Sequence, residues 1–102
     1  MVTLLKNLKW RERQSDFSLD EQRVLLFLSN KDWEWRTFDS LRVGARLSRD
    51  ELGLILKDLI IRGLVTGSVE PHDWEPVFGL VERVGPGGYA QRLEREKRAS
   101  GV

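Results

Sequence analysis

The residues best suited to chemistry in this chain are cations. Arg36, Arg42, Arg46 and Arg49 fall within fourteen positions, opposed there only by Asp39, and Lys57 follows. Such a cluster suits phosphate, and contacts of that kind release counterions and weaken with salt. The same cluster reads equally as a solvated surface. Catalytic alternatives find less support. His72 is the only histidine; it stands beside Asp73 and near Glu75, the composition of a metal or acid–base site, but in a polar turn without metal-ligand spacing. Gly85-Pro86-Gly87-Gly88 lacks the spacing of a phosphate-binding glycine loop. The absence of cysteine removes thiolate zinc sites, disulfides and cysteine nucleophiles together. The expectation is a non-enzyme without a cofactor or metal.

Composition narrows the choice. The 102 residues suit one domain, and 40% hydrophobic content supports one modest core. Seventeen basic and sixteen acidic residues leave a net charge of +1, so the whole molecule does not attract nucleic acid and local patches must. No apolar run approaches the ~20 residues that span a bilayer, and the N-terminus does not resemble a secretion signal. A soluble cytoplasmic protein is expected.

The elements that must position the cations follow from caps and periodicity. Ser48 and Glu51 have the spacing of a capping box, and Leu47 and Leu52 that of a hydrophobic staple. Leu52, Ile55, Leu56, Leu59 and Gly63 then recur at helical spacing, which places an apolar face toward a core. Ser18 and Glu21 repeat the cap before Val24-Leu25-Leu26-Phe27-Leu28, a run apolar on every face of a helix. Such a helix needs cover on two sides: from the N-terminal segment, the C-terminal segment or a second copy of the chain. Trp33 to Thr37 alternates as a short strand with Trp33 and Trp35 on one face, suited to packing. A helix is expected over Phe38 to Val43, capped by Thr37 or Asp39 and ended by Gly44. Leu64 to Glu70 and Val77 to Val84 read as two strands of a hairpin. Residues 1–17 read as an amphipathic arm, in which Lys6, Lys9, Arg11 and Arg13 either fray, pack on the core or touch phosphate. Residues 85–102 read as a charged tail, helical or disordered.

The order helix, strand, helix, helix, strand, strand over residues 18–84 resembles the winged-helix superfamily of helix-turn-helix domains. Leu47-Ser48-Arg49-Asp50-Glu51-Leu52, followed by Leu59, Gly63, Leu64 and Val65, is similar to a pattern of bacterial winged-helix regulators. The resemblance implies a single α+β domain that binds double-stranded DNA as a transcription regulator, with protein–protein interaction a frequent second use. In such domains the helix beginning at Ser48 enters the major groove. Arg49 would then meet guanine, Gly53 would allow close approach, and Lys57 would contact a base or phosphate. Arg36, Arg42 and Arg46 would hold the backbone.

The outward face of that helix also carries Asp50, Leu54 and Ile61, which suit a protein partner better than DNA. The expected wing loop contains Glu70, Asp73 and Glu75 and no cation, whereas minor-groove contacts use arginine and lysine. Trp74 at its tip either packs back or meets a partner. A second reading therefore stands beside the first: an interaction module using Leu54, Ile61 and Trp74, without DNA. The doubly apolar helix adds the expectation of a homodimer or other protein partner.

Overall fold

Ser18 and Ser48 each begin a helix in the way their spacing predicts. In the computed structural model, which describes residues 7–69 and 76–85, Ser18 caps α2 (Leu19–Leu28) and Ser48 caps α4 (Arg49–Ile61), each through a complete capping box. At Ser48 the hydroxyl accepts from the Glu51 N–H at 3.1 Å, and the Glu51 carboxylate accepts from the Ser48 N–H at 3.0 Å. Leu47 and Leu52 are both buried beside this cap, as a staple requires. At the other end, Gly63 has φ +79°, and its N–H and that of Leu64 bond back to Ile60 and Leu59. This left-handed glycine closes the helix and turns the chain into β2 (Val65–Val69).

The remaining described elements are α1 (Lys9–Glu12) with a short 3-10 turn at Gln14–Asp16, β1 (Arg36–Thr37), α3 (Phe38–Ala45), β3 (Pro76–Leu80) and α5 (Val81–Val84). The three strands form one antiparallel sheet in the order β1-β3-β2, with Thr37 opposite Val77 and Val65 opposite Leu80. The core runs between the helices and this sheet. Leu25, Leu28, Leu41, Leu52, Leu59 and Leu80 are fully buried in it.

Four expectations are corrected. The helix expected to stop at Val43 continues to Ala45, and Gly44 lies inside it. A Cβ at Gly44 would come within 2.7 Å of the Phe27 ring, so packing between α2 and α3 requires the glycine there, not helix termination. Arg46 ends α3 instead, in the left-handed conformation at φ 57°. The strand expected to begin at Trp33 is confined to Arg36–Thr37, and Trp33 is exposed. The strand expected to reach Val84 ends at Leu80, and the chain then makes one helical turn. Gly63, placed on the buried face by its spacing, is exposed at the helix end.

The second side of α2 is covered from within the chain. Leu8, Trp10 and Phe17 join the core, and the Trp10 indole donates to Ser29 Oγ at 2.8 Å. Ser29 Oγ in turn donates to the Leu25 carbonyl at 2.6 Å, so both buried polar groups are satisfied. The apolar run of α2 is thus accounted for by intramolecular packing. The helical turn α5 holds this arrangement. The Glu82 carboxylate accepts from the N–H groups of Lys9 (2.6 Å) and Trp10 (3.3 Å). Arg83 Nη1 donates to the carbonyls of Leu28 (2.9 Å), Asn30 (2.7 Å) and Trp33 (3.0 Å), where α2 has run out of intrahelical partners.

Candidate nucleic-acid interface

Helices α3 and α4, joined through Arg46, Leu47 and Ser48, form a helix-turn-helix. The buried stripe of α4, Leu52, Leu56 and Leu59, fixes its rotation against the core. The opposite stripe must then face outward, and Arg49, Asp50, Gly53, Leu54 and Lys57 together line one shallow, open depression. Five residues singled out by their spacing are therefore contiguous on one exposed surface. Arg49, Asp50 and Lys57 have no ion pair within 4.0 Å among the described residues.

Two residues, Gly53 on this surface and Arg46 in the turn before α4, contradict their local preferences. Arg46 occupies a left-handed conformation that costs a non-glycine residue about 1 kcal/mol. It is exposed, with no ion pair among the described residues. Gly53 sits in the middle of α4, where glycine costs about 0.5–1 kcal/mol relative to alanine. Yet a Cβ there would have nothing within 4 Å, in contrast to Gly44. The conformation of Arg46 is that of the cap that ends α3, whereas no contact explains Gly53.

The other arginines are differently placed. Arg42 is half-buried and lies 3.6 Å from Asp39, one helical turn away. Arg36 directs its Nε and Nη2 onto Ser40 Oγ at 3.0 and 2.7 Å, and its guanidinium stands 5.6 Å from the Phe27 ring centre. Burial lowers its pKa from the ordinary arginine value. It lines a separate concavity of about 410 Å³ with Trp33, Trp35, Thr37, Ser40 and Val77. Both tryptophans line this space although neither lies in a strand.

Of the N-terminal cations, Lys9 and Arg13 are exposed and Arg11 lies 5.7 Å from the Trp10 ring centre. Leu54 and Ile61 are 69% and 74% exposed, so the apolar character of the outward stripe is real. Lys6, Trp74, His72, the acidic loop residues Glu70, Asp73 and Glu75, and the charged tail lie outside the described residues. Among the described residues no cluster of three potential metal ligands occurs, and no helix is long and apolar enough to cross a membrane.

Spacing alone does not reveal the roles of Glu82, Arg83 and Arg62. Arg62 lies 3.4 Å from both Glu21 and Asp58 and 4.6 Å from the Phe17 ring centre, tying the end of α4 to the start of α2. No local pattern marks the links to α1 and α2, because each joins residues far apart in sequence.

Comparison with protein-family models and with curated proteins finds no match. Comparison with solved structures finds several. A mutant of MepR from S. aureus superposes with a TM-score of 0.63 at 15% identity, covering 90% of this chain and 64% of that one. Wild-type MarR from E. coli, apo form, gives 0.61 at 18% identity, covering 84% and 59%. A MarR family transcriptional regulator from Silicibacter pomeroyi gives 0.58 at 15% identity, covering 90% and 73%. The chain thus spans between 59% and 73% of the length of these three structures. At such identities the likeness is one of fold: the chain has the winged-helix fold of transcriptional regulators.

Proposed function

We propose that this winged-helix chain binds double-stranded DNA through α4 and acts as a transcription regulator. The observation that carries the reading is the outward stripe of α4, where Arg49, Gly53 and Lys57 line one exposed depression, with the exposed Arg46 in the turn before it. A cation is held at Arg46 where glycine would be less strained, and a glycine is held at Gly53 where alanine would be more stable. A mid-helix glycine that no neighbour requires points to an external partner. A cation at the turn meets the backbone of a duplex, and a missing side chain in mid-helix admits a groove wall. Arg49, beside the Ser48 cap, is suited to guanine, and Lys57 to a base or phosphate one turn beyond Gly53. Arg42 supports the backbone contacts. Arg36, engaged by Ser40 and Phe27, contributes least.

Titration of duplex DNA against the protein at two salt concentrations tests this. Affinity should fall steeply with salt. Arg46→Ala with Arg49→Ala should both weaken binding and reduce the salt slope by about one unit for each phosphate no longer neutralised. Absence of binding at low salt overturns the proposal. The exposure of Leu54 and Ile61 favours the second reading, a protein-interaction surface in which Trp74 takes part. In that case Leu54→Asp or Trp74→Ala disrupts a partner complex, and duplex DNA is not bound.

A further inference from the structure

The buried stripe of α4 decides which side chains lie deepest in any groove that the helix enters. At about 100° per residue, the direction opposite Leu52, Leu56 and Leu59 is held by Asp50, Leu54 and Lys57. All three are exposed and line one depression with Arg49 and Gly53. Asp50 has no ion pair among the described residues, and Leu54 is 69% exposed. The first turn of α4 already has an acid in Glu51, whose carboxylate completes the capping box, so the helix start does not depend on Asp50. Neither Asp50 nor Leu54 suits phosphate, since one is an anion and the other is apolar. The base edges of the major groove offer each a partner.

We propose that Asp50 and Leu54 read base sequence: the Asp50 carboxylate accepts a hydrogen bond from the exocyclic amino group of a cytosine, and Leu54 packs on the C5-methyl group of a thymine. This readout rests on DNA binding through α4 and narrows it from duplex DNA to a base preference. Only two bases present a donor in the major groove, cytosine at N4 and adenine at N6. Adenine sets the N7 acceptor beside its amino group, which repels a carboxylate, and cytosine has no acceptor on that edge. The carboxylate therefore selects cytosine. The thymine methyl is the apolar group on the same edge. Asp50 lies in the first turn of α4, the part that reaches bases in helix-turn-helix complexes. Leu54 follows one turn later, about 6 Å along the axis, a length of about two base-pair steps. Arg46, Arg49 and Lys57, exposed and without an ion pair among the described residues, supply the attraction to the duplex that Asp50 by itself opposes.

Selection from a library of randomised duplexes, followed by titration of the enriched duplex, tests the readout. Wild type should enrich a fixed cytosine with a fixed thymine close by. Asp50→Ala should lose the cytosine preference, a change of about fivefold or more, and keep the thymine. Asp50→Asn should move the preference at that position to adenine, whose N6 and N7 an amide meets together. Deoxyuridine in place of the selected thymine removes only the methyl group. It should weaken wild type about fourfold and leave Leu54→Ala unaffected. Both positions are exposed on the helix, so these variants keep the fold.

An Asp50→Ala variant that gains affinity for every duplex alike, as loss of a repelling charge would give, overturns the cytosine contact. Equal affinity of wild type for the deoxyuridine and thymine duplexes overturns the thymine contact. Salt-sensitive binding without base preference sinks the readout and leaves DNA binding standing. Absence of binding at low salt removes both.

Discussion

Among single residues, Arg46→Gly would place the residue type that the left-handed turn prefers, and Gly53→Ala would restore helix propensity at an unobstructed position. Each should raise unfolding free energy by about 0.5–1 kcal/mol in denaturant titrations. Each should also weaken DNA binding in the same protein preparations. A gain in stability with binding intact would show that strain at these positions does not serve DNA. Glu51 makes a second test. The backbone N–H of Ser48, then its side chain, hold the Glu51 carboxyl below its ordinary pKa. A carboxylate depressed in the folded state contributes stability that is present above its unfolded pKa and lost as pH falls through the folded value. The stability advantage of wild type over Glu51→Gln should therefore shrink on acidification below the ordinary carboxylate range, as followed by unfolding at successive pH values.

Among the elements, two helix starts and the stop of α4 at Gly63 were legible in the chain, and the end of α3 was not. Ser18-Glu21 and Ser48-Glu51 act within four residues, so their spacing alone places two helix starts. Gly44 and Arg46 show the opposite. The glycine signal for a helix end was outweighed by the Phe27 ring, a contact between α2 and α3 that no local pattern encodes. The turn at α5 was likewise hidden. Alternation continued through Val84, but Glu82 and Arg83 bond to α1 and to the end of α2, and these partners are more than fifty positions away. Arg83→Ala would strip a charged donor from three carbonyls. The expected cost is about 1.5–3 kcal/mol, read as a lower unfolding midpoint with an unchanged denaturant slope.

For the molecule as a whole, the N-terminal segment from Leu8 belongs to the core. Trp10 is 1% exposed and its indole reaches Ser29, so Trp10→Ala should cost about 3–5 kcal/mol, measured by denaturant unfolding. If Trp10 only covered an exposed arm, the cost would fall well below this. The excess apolarity of Val24 to Leu28, which called for cover by the N-terminal segment, the C-terminal segment or a second copy, meets Leu8, Trp10 and Phe17 of the N-terminal segment inside the chain. Local spacing was enough for the two capped helices, the buried stripe of α4, the helix-turn-helix order and the identity of the outward residues. These depend on neighbours within a turn or two, and periodicity records them directly. Folding alone revealed that Gly44 is a packing necessity and Gly53 is not, that Arg36 lies on Phe27 apart from the α4 surface, and that Arg46 carries the turn. A residue's type is written in the chain, but whether a ring, a carboxylate or open space stands opposite it depends on residues that only folding brings together.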